Sequence, residues 1–124
     1  MKSLGKTHWA GAEGHIPGWS HADSPELESH EALCILNTAE APAHCRLTLY
    51  FTDREPAGPY KLEVGAQRTK HVRLNSLQEP EPVPRATDFA WALEADVPIV
   101  VQHTRLDSRQ AANALMTAVP FSQD

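Results

Sequence analysis

The segment Gln102-His103-Thr104-Arg105-Leu106-Asp107-Ser108-Arg109 concentrates more polar chemistry than any other stretch of this sequence. It follows the apolar residues 97–101, and continued strand alternation sets His103, Arg105 and Asp107 on one face with Ile99 and Val101. Charges projecting from the end of a core strand form either a buried ion-pair network, with Arg105 and Asp107 as partners, or a polar ligand pocket. Residues 68–75 offer a second set, with Thr69, His71, Arg73 and Asn75 on a single face. Arginine presents a planar fork of donors suited to carboxylate, phosphate or vicinal hydroxyls, and histidine and asparagine can complete such a network. A solvated outer face is the alternative for that strand.

Other chemistries are poorly supplied. The seven histidines include no HxH pair and no HExxH, whereas zinc needs three or four convergent ligands. No metal or other cofactor is expected. His103, Asp107 and Ser108 are too close along one strand to serve as base, orienter and nucleophile, and GxSxG is absent, so no enzyme activity is expected. Gly11-Ala12-Glu13-Gly14 lacks the spacing and the lysine of a phosphate loop. Trp9, Trp19, Trp91, Tyr50 and Tyr60 are either core or a stacking surface for a flat ligand.

The elements that must position these groups read as strands. Residues 46–52 alternate cleanly, with Leu47, Leu49 and Phe51 opposed to Arg46, Thr48, Tyr50 and Thr52. Tyr60, Leu62 and Val64 repeat the pattern, as do Val72 and Leu74. Residues 33–36 and 99–101 are apolar on both faces and are expected to be central strands covered on both sides. Ten prolines and six glycines divide the chain at strand-length intervals. The expected fold is all-β, an antiparallel β-sandwich, with residues 1–124 as one domain. Residues 89–93 and 109–119 could instead be helical, since both are alanine-rich and follow capping residues. Residues 79–84, rich in proline, read as a stiff connection.

A length of 124 residues suits one core. No apolar run approaches the ~20 residues of a membrane helix, and the N-terminus has no apolar stretch after its lysines, so a cytoplasmic location is expected. Cys34 and Cys45 lie in apolar runs and are expected to be unpaired thiols. With 11 basic and 16 acidic residues the net charge is −5, so DNA binding is expected to be weak and non-specific.

Several blocks resemble the sensory rhodopsin transducer family. They are Trp9-Ala10-Gly11-Ala12-Glu13-Gly14-His15-Ile16-Pro17; Ser29-His30-Glu31 followed by Cys34-Ile35-Leu36-Asn37; Asp53-Arg54-Glu55-Pro56 with Gly58-Pro59-Tyr60; Arg68-Thr69-Lys70-His71-Val72-Arg73; and residues 97–110. The resemblance runs from about Gly5 to Phe121. It implies a jelly-roll-like sandwich similar to carbohydrate-binding modules, strand rather than helix at residues 115–121, and a homotetramer. It further implies either a non-catalytic module that binds or senses a small polar molecule such as a sugar, or a cytoplasmic adaptor that docks on a sensory rhodopsin and relays its signal to a protein or DNA. The polar positions it marks are Glu13, His30, Glu31, Asn37, Arg68, His71, Arg73, Gln102, His103 and Arg105. Arg73 and Arg105, each with a histidine two residues away, are the expected ligand anchors.

Overall fold

Alternation of apolar and polar residues governs eight strands, and one of them is long enough to serve two sheets. The computed structural model describes residues 2–21 and 24–124. The strands are β1 (Lys6–His15), β2 (His30–Asn37), β3 (Ala43–Phe51), β4 (Ala57–Val64), β5 (Arg68–Arg73), β6 (Asp88–Asp107), β7 (Ala114–Ala118) and β8 (Phe121–Gln123). Two short 3₁₀ turns, Pro25–Leu27 and Leu74–Ser76, complete the described structure. All strand pairs are antiparallel. The arrangement is the expected β-sandwich.

The 20 residues of β6 bend and change sheets. Its first half pairs with β3 and β1, giving a first sheet in the order β4-β3-β6-β1-β8. From Val100 onward it pairs with β2 and β7, giving a second sheet in the order β5-β2-β6-β7. The crossing lies at Asp96-Val97-Pro98, where β1 skips from Lys6↔Ile99 to His8↔Glu94. Strands that pass between sheets through bends or bulges form the corners of such sandwiches.

The core fills the space between the sheets, where Leu33, Leu47, Leu49, Leu93, Ile99 and Val101 are fully buried. Each such side chain contributes about 1.5–3 kcal/mol. Trp91 and Phe89 occupy room that β1 leaves open by having glycine opposite them. A Cβ at Gly11 would lie 2.3 Å from Trp91 Nε1, and one at Gly14 would lie 2.4 Å from the Phe89 ring.

Residues 89–93 are strand, because Phe89, Trp91 and Leu93 point alternately into the core. The helical alternative for residues 109–119 also gives way. A short irregular stretch leads into β7, whose ladder with β6 overrides the helix preference of alanine. The resemblance anticipated this strand. Residues 33–36 differ from expectation: Leu33 and Ile35 are buried, but Cys34 is half-buried and Leu36 is 39% exposed. Among the described residues, no layer covers the outer face of the second sheet. Both cysteines are free, Cys45 being buried and Cys34 partly so.

Candidate functional site

A carboxylate with no solvent exposure marks the site. Because Leu33 and Ile35 face the core, strand alternation turns Glu31 inward as well, and it is completely buried. The register of β2 on β6 pairs Glu31 with Arg105 and Leu33 with His103. His103 Nε2 lies 2.5 Å from Glu31 Oε1, while Arg105 brings Nε and a terminal nitrogen each to 3.1 Å from Oε2. An ionised carboxylate only accepts, so Nε2 of His103 is the donor.

The third side of the carboxylate is closed from the other sheet. Between Gly11 and Gly14, β1 carries one residue more than β6, a β-bulge that also contains Glu13. Beyond it the His15 backbone N–H donates to Glu31 Oε2. Glu13, on the bulge itself, accepts from Arg105 at 3.2 Å with its side chain 82% exposed. Glu31 is thus a clasp joining the sheets, and Arg105 bridges its buried carboxylate to an exposed one. Asn75 supports the clasp from below: its Oδ1 accepts from the Glu31 N–H at 3.3 Å, and its amide donates to Ser29 carbonyl oxygen at 3.0 Å.

The His103 ring meets Trp91 edge to face at 5.6 Å. Among the described residues, Trp91 Nε1 is the buried side-chain nitrogen that lacks a hydrogen-bond partner. Native interiors leave few such groups unpaired, and a bound water or ligand is a common reason. Above the cluster lies a depression of about 280 Å³, walled by Gly11 and Glu13 on β1, His103 and Arg105 on β6, and Met116 and Phe121 near the C-terminus. Its chemistry is donor-rich at the floor and apolar at one wall. Glu13 is the one partner of Arg105 that solvent or a ligand can readily replace.

Four of the ten positions singled out from the sequence therefore meet here: Glu13, Glu31, His103 and Arg105. The other six lie elsewhere. His30 points away from Glu31 and bonds the Glu28 carbonyl oxygen through Nδ1 at 2.8 Å. Asn37 is buried at the end of β2, donating to the carbonyl oxygens of Ala41, Val64 and Gly65. Arg68 donates to the carbonyl oxygens of Ala66 and Gln67, His71 is exposed, and Gln102 is exposed on the face opposite His103. Arg73 donates to the Pro25 carbonyl oxygen at 2.9 Å.

Two expected pairings are corrected. Arg105 does not pair with Asp107; that carboxylate holds Arg109 instead, at 2.7 and 3.0 Å, and these hydrogen bonds keep the Asp107 carboxyl below its ordinary range. The His71/Arg73 and His103/Arg105 pairs do not share a pocket within the chain. Arg73 pairs with Ala32 and Arg105 with Glu31, so the pairs lie on opposite faces with β2 between them. Asn75 leaves the Arg73 face as well, because β5 ends and a 3₁₀ turn begins. Sequence reasoning missed the His15 N–H and the Trp91 indole. Their signal was the Gly11/Gly14 pair inside a strand pattern, which marks a bulge or a close approach.

Three separate chain segments supply the site, and all three fall within one family pattern. The sequence model described as "Anabaena sensory rhodopsin transducer" matches residues 4–122. The chain belongs to this family. Among solved structures, the Anabaena sensory rhodopsin transducer is 52% identical, covering 84% of this chain and 100% of its own, with a TM-score of 0.77. A crystal structure from Thermotoga maritima is 31% identical, covering 96% of each chain, with a TM-score of 0.85. No curated protein matches this sequence. As a transducer-family member, the chain has no described helix long and apolar enough to cross a membrane.

Proposed function

We propose that this protein is a non-catalytic binding or sensing module whose small polar ligand sits in the depression above Glu31, held by Arg105. The observation that carries this reading is the graded pairing of Arg105. Its inner contacts go to the fully buried Glu31, and its outer one to the exposed Glu13, which a ligand carboxylate or hydroxyl can displace. The unpartnered Trp91 Nε1 beside His103 supports it. No serine or cysteine nucleophile lines the depression, which favours binding over catalysis. The test is a thermal-shift screen of sugars, polyols and small carboxylates, since a ligand specific to the folded state raises the melting temperature by mass action. Binding lost in Arg105→Ala and kept in Arg73→Ala is the expected result. Equal loss in both variants, or binding that ignores both, refutes this site.

A second reading rests on the name of the 52% identical relative, a sensory rhodopsin transducer. On it, the chain is a cytoplasmic adaptor for a membrane photoreceptor. Titration of a sensory rhodopsin in nanodiscs, in light and dark, tests this; no binding in either state rejects it. In both readings the protein assembles as a homotetramer. Leu115 and Val119, 72% and 71% exposed, are the apolar surface that assembly would cover. Light scattering that gives a monomer mass at micromolar concentration rejects the assembly. DNA binding is weak in this proposal, given the −5 charge.

A further inference from the structure

On the outer face of the first sheet, one row of charged groups is paired only loosely. One cross-strand row runs Arg46–Glu94–His8–Gln123 through β3, β6, β1 and β8. Arg46 Nε stands 3.5 Å from Glu94 Oε1, and His8 Nε2 stands 3.8 Å from Glu94 Oε2, all with side chains more than half exposed. These separations exceed hydrogen-bond length. The next row, Thr48–Ala92–Ala10–Phe121, is floored by two alanines, and Tyr50 rises from β3 one step further on. Tyr50 and Phe121, 47% and 66% exposed, border a groove of about 320 Å³ whose polar end is Arg46 and Glu94. That volume is at the lower end of small-molecule sites.

We propose that this groove binds an aromatic zwitterion, of the aromatic amino acid class. Arg46 and Glu94 are opposite charges side by side, matching an α-carboxylate next to an α-ammonium. The carboxylate takes the guanidinium fork, and the ammonium takes the carboxylate of Glu94. The ligand ring lies over the flat floor of Ala10 and Ala92, against Tyr50 and Phe121, where aromatic pairs gain beyond simple burial. The charges near the crossing of β6 are held more closely, His44 Nδ1 and Asp96 Oδ2 pairing at 2.8 Å. This groove shares Ala10 and Phe121 with the depression above Glu31 but none of its charged groups, and the proposal does not depend on that site.

The experiment uses the whole chain and L-phenylalanine, with 2-phenylethylamine lacking the carboxylate and 3-phenylpropionate lacking the ammonium. Titration calorimetry gives affinity, and amide NMR shifts give location. The expected result is binding of L-phenylalanine with shifts at Arg46, Tyr50, Ala92 and Glu94, and weaker binding of both analogues. Arg46→Ala lowers affinity for L-phenylalanine roughly ten-fold or more, yet barely changes that for 2-phenylethylamine. Glu94→Gln does the converse with 3-phenylpropionate. These side chains are exposed, so the melting temperature of both variants stays near that of the parent. Glu13→Ala leaves the binding intact. Four results overturn the proposal: no binding up to the solubility limit, analogues equal to the amino acid, shifts confined to Glu13 and Arg105, or a neutral disaccharide such as maltose occupying the groove instead.

Discussion

Glu31 should be the least replaceable polar residue in the molecule. In Glu31→Ala the guanidinium of Arg105, only 19% exposed, loses its buried acceptor, and the imidazole of His103 and the His15 N–H lose theirs. Removing one partner of a buried ion pair costs about 3–5 kcal/mol. Near the transition, a chain of this length has an unfolding entropy of roughly 0.26 kcal/mol/K, so the melting temperature should fall by roughly 12–19 °C. Arg105→Ala should cost less, about 2–3 kcal/mol, because His103 and the His15 N–H still satisfy the carboxylate. Glu13→Ala should cost about 0–1 kcal/mol, as expected for an exposed pair. The double variant Glu31→Ala/Arg105→Ala is decisive. Removing both charges together leaves no orphan ion, so its cost should fall short of the sum of the single costs by more than about 1 kcal/mol. Urea denaturation followed by circular dichroism measures all four. Additivity within about 0.5 kcal/mol, or a Glu31→Ala protein as stable as the parent, would refute the clasp.

Three further outcomes follow from the geometry. The hydrogen bond that His44 donates to Asp96, then the Asp96 charge, raises the His44 pKa, while the backbone N–H and ring of His44 lower that of Asp96. The His44 contribution to stability is therefore full below about pH 6.5 and lost as pH rises through its folded pKa. The Asp96 contribution is present above its ordinary value and lost as pH falls through its folded one; NMR titration should show Asp96→Asn lowering the His44 midpoint, and an unchanged midpoint contradicts the pairing. Gly11→Ala should destabilise by about 1–3 kcal/mol and alter tryptophan fluorescence, since its Cβ would strike the Trp91 indole; a silent substitution would show that β1 can give way there. Burial pushes the Cys45 thiol up to about 11, so Ellman's reagent should leave it unmodified at neutral pH until the chain is unfolded; rapid native-state reaction at Cys45 would contradict its burial.

How far the sequence could be read depended on whether a feature was local. The alternation in β3 and β4 is a property of neighbouring residues, and both strands cover nearly all of the expected runs, each beginning three residues earlier, at Ala43 and Ala57. The strand at β7 was ambiguous because its ladder to β6 is non-local while its alanine content is local. The site followed the same division. Glu31, His103 and Arg105 could be named from their blocks, but the partner of Arg105 could not be found by proximity along the chain. Asp107 stood two residues away, whereas the true acceptors, Glu31 and Glu13, lie 74 and 92 positions distant. The relation of Arg73 to Arg105 depended on register, which placed β2 between them. A bulge adds one residue and changes what the strand can reach. Only the spacing of Gly11 and Gly14 hinted at it.

The Glu31 cluster is a poor device if stability is its whole purpose. Burying an ionised carboxylate and a guanidinium removes both from water, and their attraction seldom recovers more than that loss. Apolar side chains of similar volume at 31 and 105 would close the same space against Trp91 and Leu33 without the desolvation. Two features of the arrangement go beyond what a clasp requires. Arg105 extends past Glu31 to an exposed carboxylate at the mouth of a depression, and Trp91 presents a buried N–H that no described residue accepts. Under the proposed function, a polar group supplied from outside would meet both. The strand that carries Trp91, His103 and Arg105 is also the one that bends between the two sheets. A ligand that replaced Glu13 on Arg105 would therefore press on the element joining the halves of the sandwich, which gives a binding module a physical route by which occupancy becomes a change of shape.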